Sequence, residues 1–224
     1  MCGRFVITLP NDAMAQLFGA APDNDIPQPP DYNVCPTARI AAVRLGESGA
    51  RRLSALRWGF LPSWYDSPTA GPLLINARAE TIADKPAFRE AARKRRCLIP
   101  TAGFYEWTRD GDRRLPWFIR RRDGTPLVMA GIWQSWARGA ERIDTCAIVT
   151  CAANDSMAQL HHRMPVILEP QDWPLWLGEA GHGAARLMRP APEESLEMWR
   201  VAPAVNSNRA RGADLIAPIT DAVD

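Results

Sequence analysis

The chain has 224 residues, 46% of them hydrophobic, and a formal net charge of +2. That length and apolar content suit one α+β or all-β domain with a sizeable core, and the absence of about 18 consecutive apolar residues argues against a membrane span. A charge so near neutral gives no bulk electrostatic case for a nucleic-acid or membrane partner, so any such case rests on where the charges sit.

The start, MCGRFVITLPND, lacks the basic opening, long apolar run and small-residue cleavage site of a secretion signal; a cytoplasmic location is expected. Residues 2–9 alternate and predict a strand. Asn11 or Asp12 is placed to cap a short helix, DAMAQLFG, that stops at Gly19. Residues 21–31 are rich in Pro and Asp and read as a loop. Residues 39–45 and 51–58 predict two strands joined through GESG. Asp84-Lys85-Pro86 marks a helix start, since Pro is tolerated in the first turn, and that helix runs through AFREAARKRR.

The middle is β-rich. FYEWTR, RRLPWFIRRR and PLVMAGIW, separated by DGD and DGT, predict a three-stranded meander, because Asp-Gly between β-formers is a strong hairpin signal. Residues 143–151 give another strand. Asn154 or Asp155 caps a helix, SMAQLHH; residues 165–168 form a further strand and 172–177 a helical turn. Residues 203–224 are expected to fray. The sum is an α+β fold with a dominant, mostly antiparallel sheet curled toward a barrel.

Five cysteines at irregular spacing make a poor disulfide framework. With no CxxC and three histidines, no metal site is expected. Most of the cysteines read as small core residues. Cys2 is different. Removal of Met1 would leave an α-amine and a thiol on adjacent carbons, with ordinary pKa values of about 7.7–8.0 and 8.5. Both reach a nucleophilic form near neutral pH. Such a 1,2-aminothiol condenses with an aldehyde as an imine and closes to a thiazolidine; it also serves as an N-terminal nucleophile toward an amide. As an ordinary cysteine at a strand start it would do neither.

Other polar residues sit in apolar surroundings. Glu106 lies inside GFYEW, where burial would raise its pKa toward acid/base duty. His161 and His162 precede RMPVIL, and a histidine there is able to shuttle a proton near pH 7. Asn76, in LLINARAET, is placed to orient an amine or thiol. Trp58 and Trp64, in WGFLPSW beside Arg57, offer aromatic faces for exposed bases. Basic residues gather in REAARKRR at 89–96 and at Arg109, Arg113, Arg114, Arg120, Arg121 and Arg122, two candidate phosphate-binding runs that would equally serve as solvated faces.

In order along the chain these signals resemble the SOS response-associated peptidase (SRAP) family. The resemblance is carried by MCGRF, YNVCPT, WGFLPSW, NARAET, CLIPTAGFYEW, PWFI, AGIW, HHRMPVIL and VAPAVN. It implies an SRAP domain over residues 1–206 with a tail at 207–224, a pseudo-barrel sheet with short flanking helices, and a basic DNA-binding groove. It also implies a monomer that binds single-stranded DNA, associates with the nucleoid there, and crosslinks covalently to abasic sites without a cofactor. Cys2 then becomes the nucleophile, Asn76 its positioning partner, Glu106 the acid/base residue, and His161 the group that assists ring opening and reversal. Arg4, Arg78 and Arg163 match the phosphate-binding arginines, with Asn33, Thr150, Trp58 and Trp64 assigned to the DNA-binding surface. Two positions depart from the pattern: His162 stands where Asp is usual, and Cys35 where Ala is usual.

Two other readings stay open on the residues alone. An N-terminal-nucleophile peptidase or amidohydrolase needs Cys2 but not the arginines and exposed aromatics. A non-catalytic single-strand-binding module needs the arginines but not Cys2, Asn76 and Glu106.

Overall fold

In a computed structural model, residues 2–23 and 25–219 are described. The strands are β1 (Phe5–Ile7), β2 (Ala21–Pro22), β3 (Asp31–Val34), β4 (Arg39–Leu45), β5 (Arg51–Trp58), β6 (Asn76–Arg78), β7 (Arg96–Thr101), β8 (Gly103–Asp110), β9 (Arg113–Arg121), β10 (Leu127–Arg138), β11 (Glu141–Ala152), β12 (Arg163–Pro165) and β13 (Leu196–Arg200). Four short helices flank them: α1 (Asn11–Phe18), α2 (Arg89–Lys94), α3 (Asp155–Ala158) and α4 (Trp173–Leu177). The fold is α+β and mostly sheet, as the sequence predicts.

One sheet closes on itself. Antiparallel pairing runs β5-β4-β7-β10-β11, and β11 then pairs in parallel with β5 through Thr145 opposite Arg57 and Cys146 opposite Trp58. Closure removes the open edges of these five strands. β2, β6 and β12 add to the outside of the ring. A second sheet, ordered β13-β9-β8-β1-β3, packs beside it.

The second sheet is buried on both faces, which explains its continuous apolar runs. Successive residues of a strand point to opposite faces. Phe5, Phe104 and Ile119 therefore join the barrel-side core, while Val6, Tyr105 and Phe118 form a smaller cluster with Val201, Val205 and Leu215. That second cluster corrects the expectation of a fraying end. Residues 203–219 cover the outer face of this sheet, with Val205 and Leu215 buried, Trp199 Nε1 donating to Ile216 O, and Val201 bridging Pro218. Residues 220–224 lie outside the described residues.

Four further expectations are corrected. The predicted meander is not one sheet: β8 and β9 form the hairpin, but β9 takes β13 on its far edge while β10 lies between β7 and β11. The Asp123-Gly124 turn does form, with Asp123 Oδ1 accepting from Thr125 N, yet the chain leaves it for the other sheet. Helix α2 begins at Arg89 rather than near Asp84; residues 79–84 are turns, and Phe88 is drawn against Phe60 with ring centroids 5.4 Å apart. The N-cap of α1 is Pro10, with neither Asn11 nor Asp12 in the capping position. By contrast α3 is capped as expected, Asn154 Oδ1 accepting from Met157 N at 2.9 Å. The strand expected at 165–168 ends at Pro165, but residues 166–168 continue against the sheet, with Val166 N donating to Val149 O and Leu168 N to Val128 O.

Candidate active site and nucleic-acid surface

Cys2, Asn76, Glu106 and His161 lie more than 150 residues apart in sequence at the extremes, and the two sheets bring them to one place. Tyr105 N donates to Arg4 O at 2.9 Å, which lays the N-terminal segment along β8. Glu106 shares the barrel-side face of β8 with Phe104, two residues away. Asn76 opens β6, held parallel to β11 by pairing with Ile148. From there its Nδ2 donates to Cys2 O at 2.9 Å. Asn76 Oδ1 is buried with no hydrogen-bond partner among the described residues.

Cys2 is 1% exposed. Burial, reinforced by the Glu106 charge, pushes its thiol pKa well up, so the sulfur is held protonated. Glu106 is also buried, and burial raises its carboxyl above the usual range. A carboxyl so raised exchanges a proton closer to neutral pH. A cavity of about 360 Å³ opens beside it, lined by Gly3, Arg4, Glu106, Trp107, Arg109, Arg114 and His161.

His161 is half-buried at the cavity wall. Its Nδ1 lies 3.0 Å from Arg163 N, which donates to it, and 3.3 Å from Arg163 O. Burial lowers its pKa and favours the neutral form. His162 stacks on it with centroids 4.3 Å apart and does not line the cavity. The cavity therefore singles out His161 of the pair.

The residues assigned to nucleic acid divide into two groups. Arg78 and Trp64 are exposed, Trp64 to 54%. Trp58 is fully buried against Phe5, ring centroids 4.7 Å apart, with Nε1 donating to Ile75 O. An indole without a free face offers nothing to stack on, so Trp58 is a core residue and the expectation for it is corrected. Asn33 and Thr150 are buried as well, and their side chains act on arginines. Asn33 Oδ1 accepts from Arg4 Nη1 at 2.6 Å while Asn33 Nδ2 donates to Ser207 O and Ala210 O. Arg4 also reaches Val205 O and Asn208 Oδ1. Arg4 and Asn33 thereby pin the 205–210 segment beside the cavity. Thr150 O and Oγ1 accept from Arg163, which makes a two-pronged pair with Glu80 at 2.7 and 2.8 Å.

The arginine run at 109–122 is mostly structural. Arg113 pairs with Asp110, Arg120 with Glu197, and Arg121 with Asp123 and Glu169, while Arg122 bonds the carbonyls of Glu194 and Leu196. Only Arg109 and Arg114 of the run face the cavity. Between them the structure adds a residue that the sequence reading passed over. Trp107 lies under two guanidinium groups, Arg114 at 5.3 Å and Arg4 at 5.9 Å from a ring centroid, and its Nε1 donates to Asn206 Oδ1. The signal lies in GFYEW, beside Glu106, but nothing local says that β8 ends at a cavity.

Comparison with known proteins shows the family and the fold of the chain. The family model for SOS response associated peptidase matches residues 1–208. The abasic site processing protein YoaM of Bacillus subtilis is 34% identical, with 96% of this chain and 97% of that protein aligned. The abasic site processing protein YedK of Escherichia coli is 30% identical over 98% of this chain and all of that protein. A crystal structure of a Bordetella bronchiseptica protein superposes with a TM-score of 0.77 at 26% identity, covering 90% of this chain and 100% of that one. A crystal structure from Bacteroides thetaiotaomicron superposes with a TM-score of 0.86 at 24% identity over 98% of this chain, and shows the shared fold. The chain belongs to the SOS response associated peptidase (SRAP) family.

Proposed function

We propose that this protein processes abasic sites in single-stranded DNA by forming a covalent thiazolidine through Cys2 after loss of Met1. The observation that carries the reading is the convergence of Cys2, Asn76 and Glu106 beside a cavity rimmed with arginine and tryptophan. Relatives at 30–34% identity over nearly the whole chain are named abasic site processing proteins, which supports the same substrate.

The chemistry follows from the groups present. An abasic deoxyribose opens to an aldehyde. The neutral α-amine of Cys2 adds to that carbon, and loss of one water gives the imine. The sulfur then adds to the same carbon while its proton passes to the nitrogen, closing the ring. The raised thiol pKa fits this order, since a protonated sulfur leaves the first attack to the amine. Glu106, with its pKa raised by burial, relays protons in dehydration and closure. Neutral His161, at the cavity wall, assists sugar-ring opening and the reverse reaction. Asn76 fixes Cys2 O and has Oδ1 left to orient the freed amine. Arg78 holds a phosphate and Trp64 or Trp107 a base, as single-strand grooves do. No step draws on a cofactor.

The reading is tested by incubating the protein, lacking Met1, with a single-stranded oligonucleotide that carries one abasic site, followed by denaturing electrophoresis. A heat-stable shifted band is expected. Native binding with no such band would instead favour a non-catalytic binding module.

Glu106→Gln is expected to slow adduct formation by about 10²–10⁴-fold, the range for a positioned acid/base group. Its effect on stability has a definite sign. A carboxyl whose folded pKa is raised binds its proton more tightly in the folded state, so stability falls as pH rises from about 4.3, the ordinary Glu value, through the folded pKa. The melting temperature of Glu106→Gln should therefore gain on that of the wild type across this window. A constant difference between the two would show that Glu106 is not buried as an acid.

Arg78→Ala and Arg163→Ala are expected to part company. Arg78 is exposed, so its loss should leave stability within about 0.5 kcal/mol while making the salt dependence of DNA binding shallower by about 0.7 in log–log slope. Arg163 is buried and holds Glu80 and Thr150, so its loss should cost roughly 1–3 kcal/mol. Urea melts and binding titrations at several salt concentrations separate the two.

A further inference from the structure

The first arginine run, 89–96, takes no part in the site above. Its helix α2 borders a separate cavity of about 430 Å³, between α2, the 82–83 turn and the 181–188 loop. The two cavities share no lining residue. The walls of the second are apolar, formed by Ile82, Ala92, Trp176, Ala184 and Met188, and its rim carries the cations Arg89, Arg93 and Arg96, with His182 beside them. Its volume lies in the range of pockets that seat a ligand group, about 300–1,000 Å³.

The charges at this rim are unevenly committed. Arg96 is fixed in place by the carbonyls of Ala92, Arg93 and Trp176. Glu90, the acid of the same helix, is taken by Arg95 at 2.9 Å, and Glu179 is taken by Arg51. Arg89 and Arg93 are exposed and make no ion pair, and no carboxylate lines the cavity, among the described residues. Being four apart on a helix, the two guanidinium groups stand on one face, about 5–6 Å apart at Cβ. An apolar hole beside two cations one turn apart, neither held in an ion pair among the described residues, is complementary to an apolar side chain flanked by carboxylates.

We propose that this cavity is a docking site for an acidic peptide segment of a partner protein, with one large apolar side chain in the cavity and neighbouring Asp or Glu carboxylates on Arg89 and Arg93. A single-headed amphiphile would satisfy one arginine and leave the other unmatched. Nucleic acid fits the rim but not the interior, since Trp176 is buried and the other aromatic ring at the cavity, that of His182, belongs to an exposed residue of the rim. Arginine forks bind carboxylates in pairs of parallel hydrogen bonds, which fixes the register of the peptide as well as its charge.

The probe is a fluorescein-labelled peptide in which one Phe stands between two Asp-Asp pairs, with a charge-matched control carrying Ser for Phe. Fluorescence anisotropy with the full chain should show binding of the Phe peptide and at least about tenfold weaker binding of the control. Arg89→Glu/Arg93→Glu should weaken the Phe peptide by at least about tenfold, a loss of roughly 1.4 kcal/mol. Ala185→Trp, which fills the cavity from an exposed position without touching charge, should weaken it comparably. Both variants should crosslink abasic single-stranded DNA at the wild-type rate, which keeps this test separate from that of the proposed function. The proposal is overturned if the wild type does not bind the Phe peptide at up to about 1 mM in low salt, if the Ser control binds equally, or if either variant binds as the wild type does. It is also overturned if the arginine variant loses abasic-site crosslinking, since the rim would then belong to the nucleic-acid surface.

Discussion

Cys2→Ala is expected to yield no heat-stable adduct with abasic single-stranded DNA while retaining nearly all noncovalent affinity. Only Cys2 can present an amine and a thiol on adjacent carbons. The other four cysteines have their nitrogen in the peptide backbone and so offer a thiol with no free amine beside it. Loss of the Cys2 side chain removes a small buried group and no arginine, so the phosphate contacts should survive. Cys2→Ser separates the two chemical steps. Its amine still forms the imine, but the poorer nucleophile cannot lock it, so the adduct should be trapped by borohydride and lost on heating without it. Denaturing gels with and without the reductant read both outcomes. A stable, unreduced adduct from Cys2→Ala would sink the assignment of the nucleophile.

An extension retained ahead of Cys2 is expected to be as damaging as loss of the thiol. The first bond requires a free amine, and an amide nitrogen has no available lone pair for attack on an aldehyde. Geometry adds to this. Cys2 is almost completely enclosed, with its carbonyl held by Asn76, and Gly3 and Arg4 already form part of the cavity wall. Added residues would compete with the sugar for the same space. A protein with an uncleavable N-terminal tag should fold, bind single-stranded DNA and fail to crosslink, and intact-mass measurement of the untagged protein should show loss of Met1. A tag on the C-terminal side should be neutral. Crosslinking at the normal rate by the tagged protein would exclude the thiazolidine mechanism and point to a lysine or another thiol.

The sequence reading succeeded where local chemistry decides. Strands 39–45 and 51–58 match β4 and β5 to the residue, because β-formers there are bounded by a glycine-rich turn that few other conformations accept. Gly19 ends α1 in the left-handed conformation, φ 57°, as a helix-stopping glycine does. It erred where a partner distant in sequence decides. Asp123-Gly124 specifies a turn but not which sheet receives the next strand, and that choice was made by β13 and β7 competing for the edges of β9 and β10. The Pro- and Asn-containing end looked loose because its few apolar residues, Val205 and Leu215, are widely spaced. They become a packed strip only against Tyr105 and Phe118.

What the sequence determined by itself was the identity of the reactive groups and their ordered motifs: an aminothiol at position 2, a carboxyl in apolar surroundings at 106, an amide at 76 and an imidazole at 161. Those are properties of side chains and of short runs, and they are legible without coordinates. Which of those groups share a cavity, and which arginines are left with charge to offer, only the tertiary structure decided. Arg163 and Arg121 look like Arg78 and Arg93 in the sequence, yet the first two are committed to Glu80 and to Asp123 and Glu169. Trp58 and Trp64 stand six residues apart in one motif, yet one is buried under Phe5 and the other is exposed. Burial, and the pairing of charge with charge, are set by contacts between segments far apart in the chain, so the same residue type acquires opposite roles according to what the fold places against it.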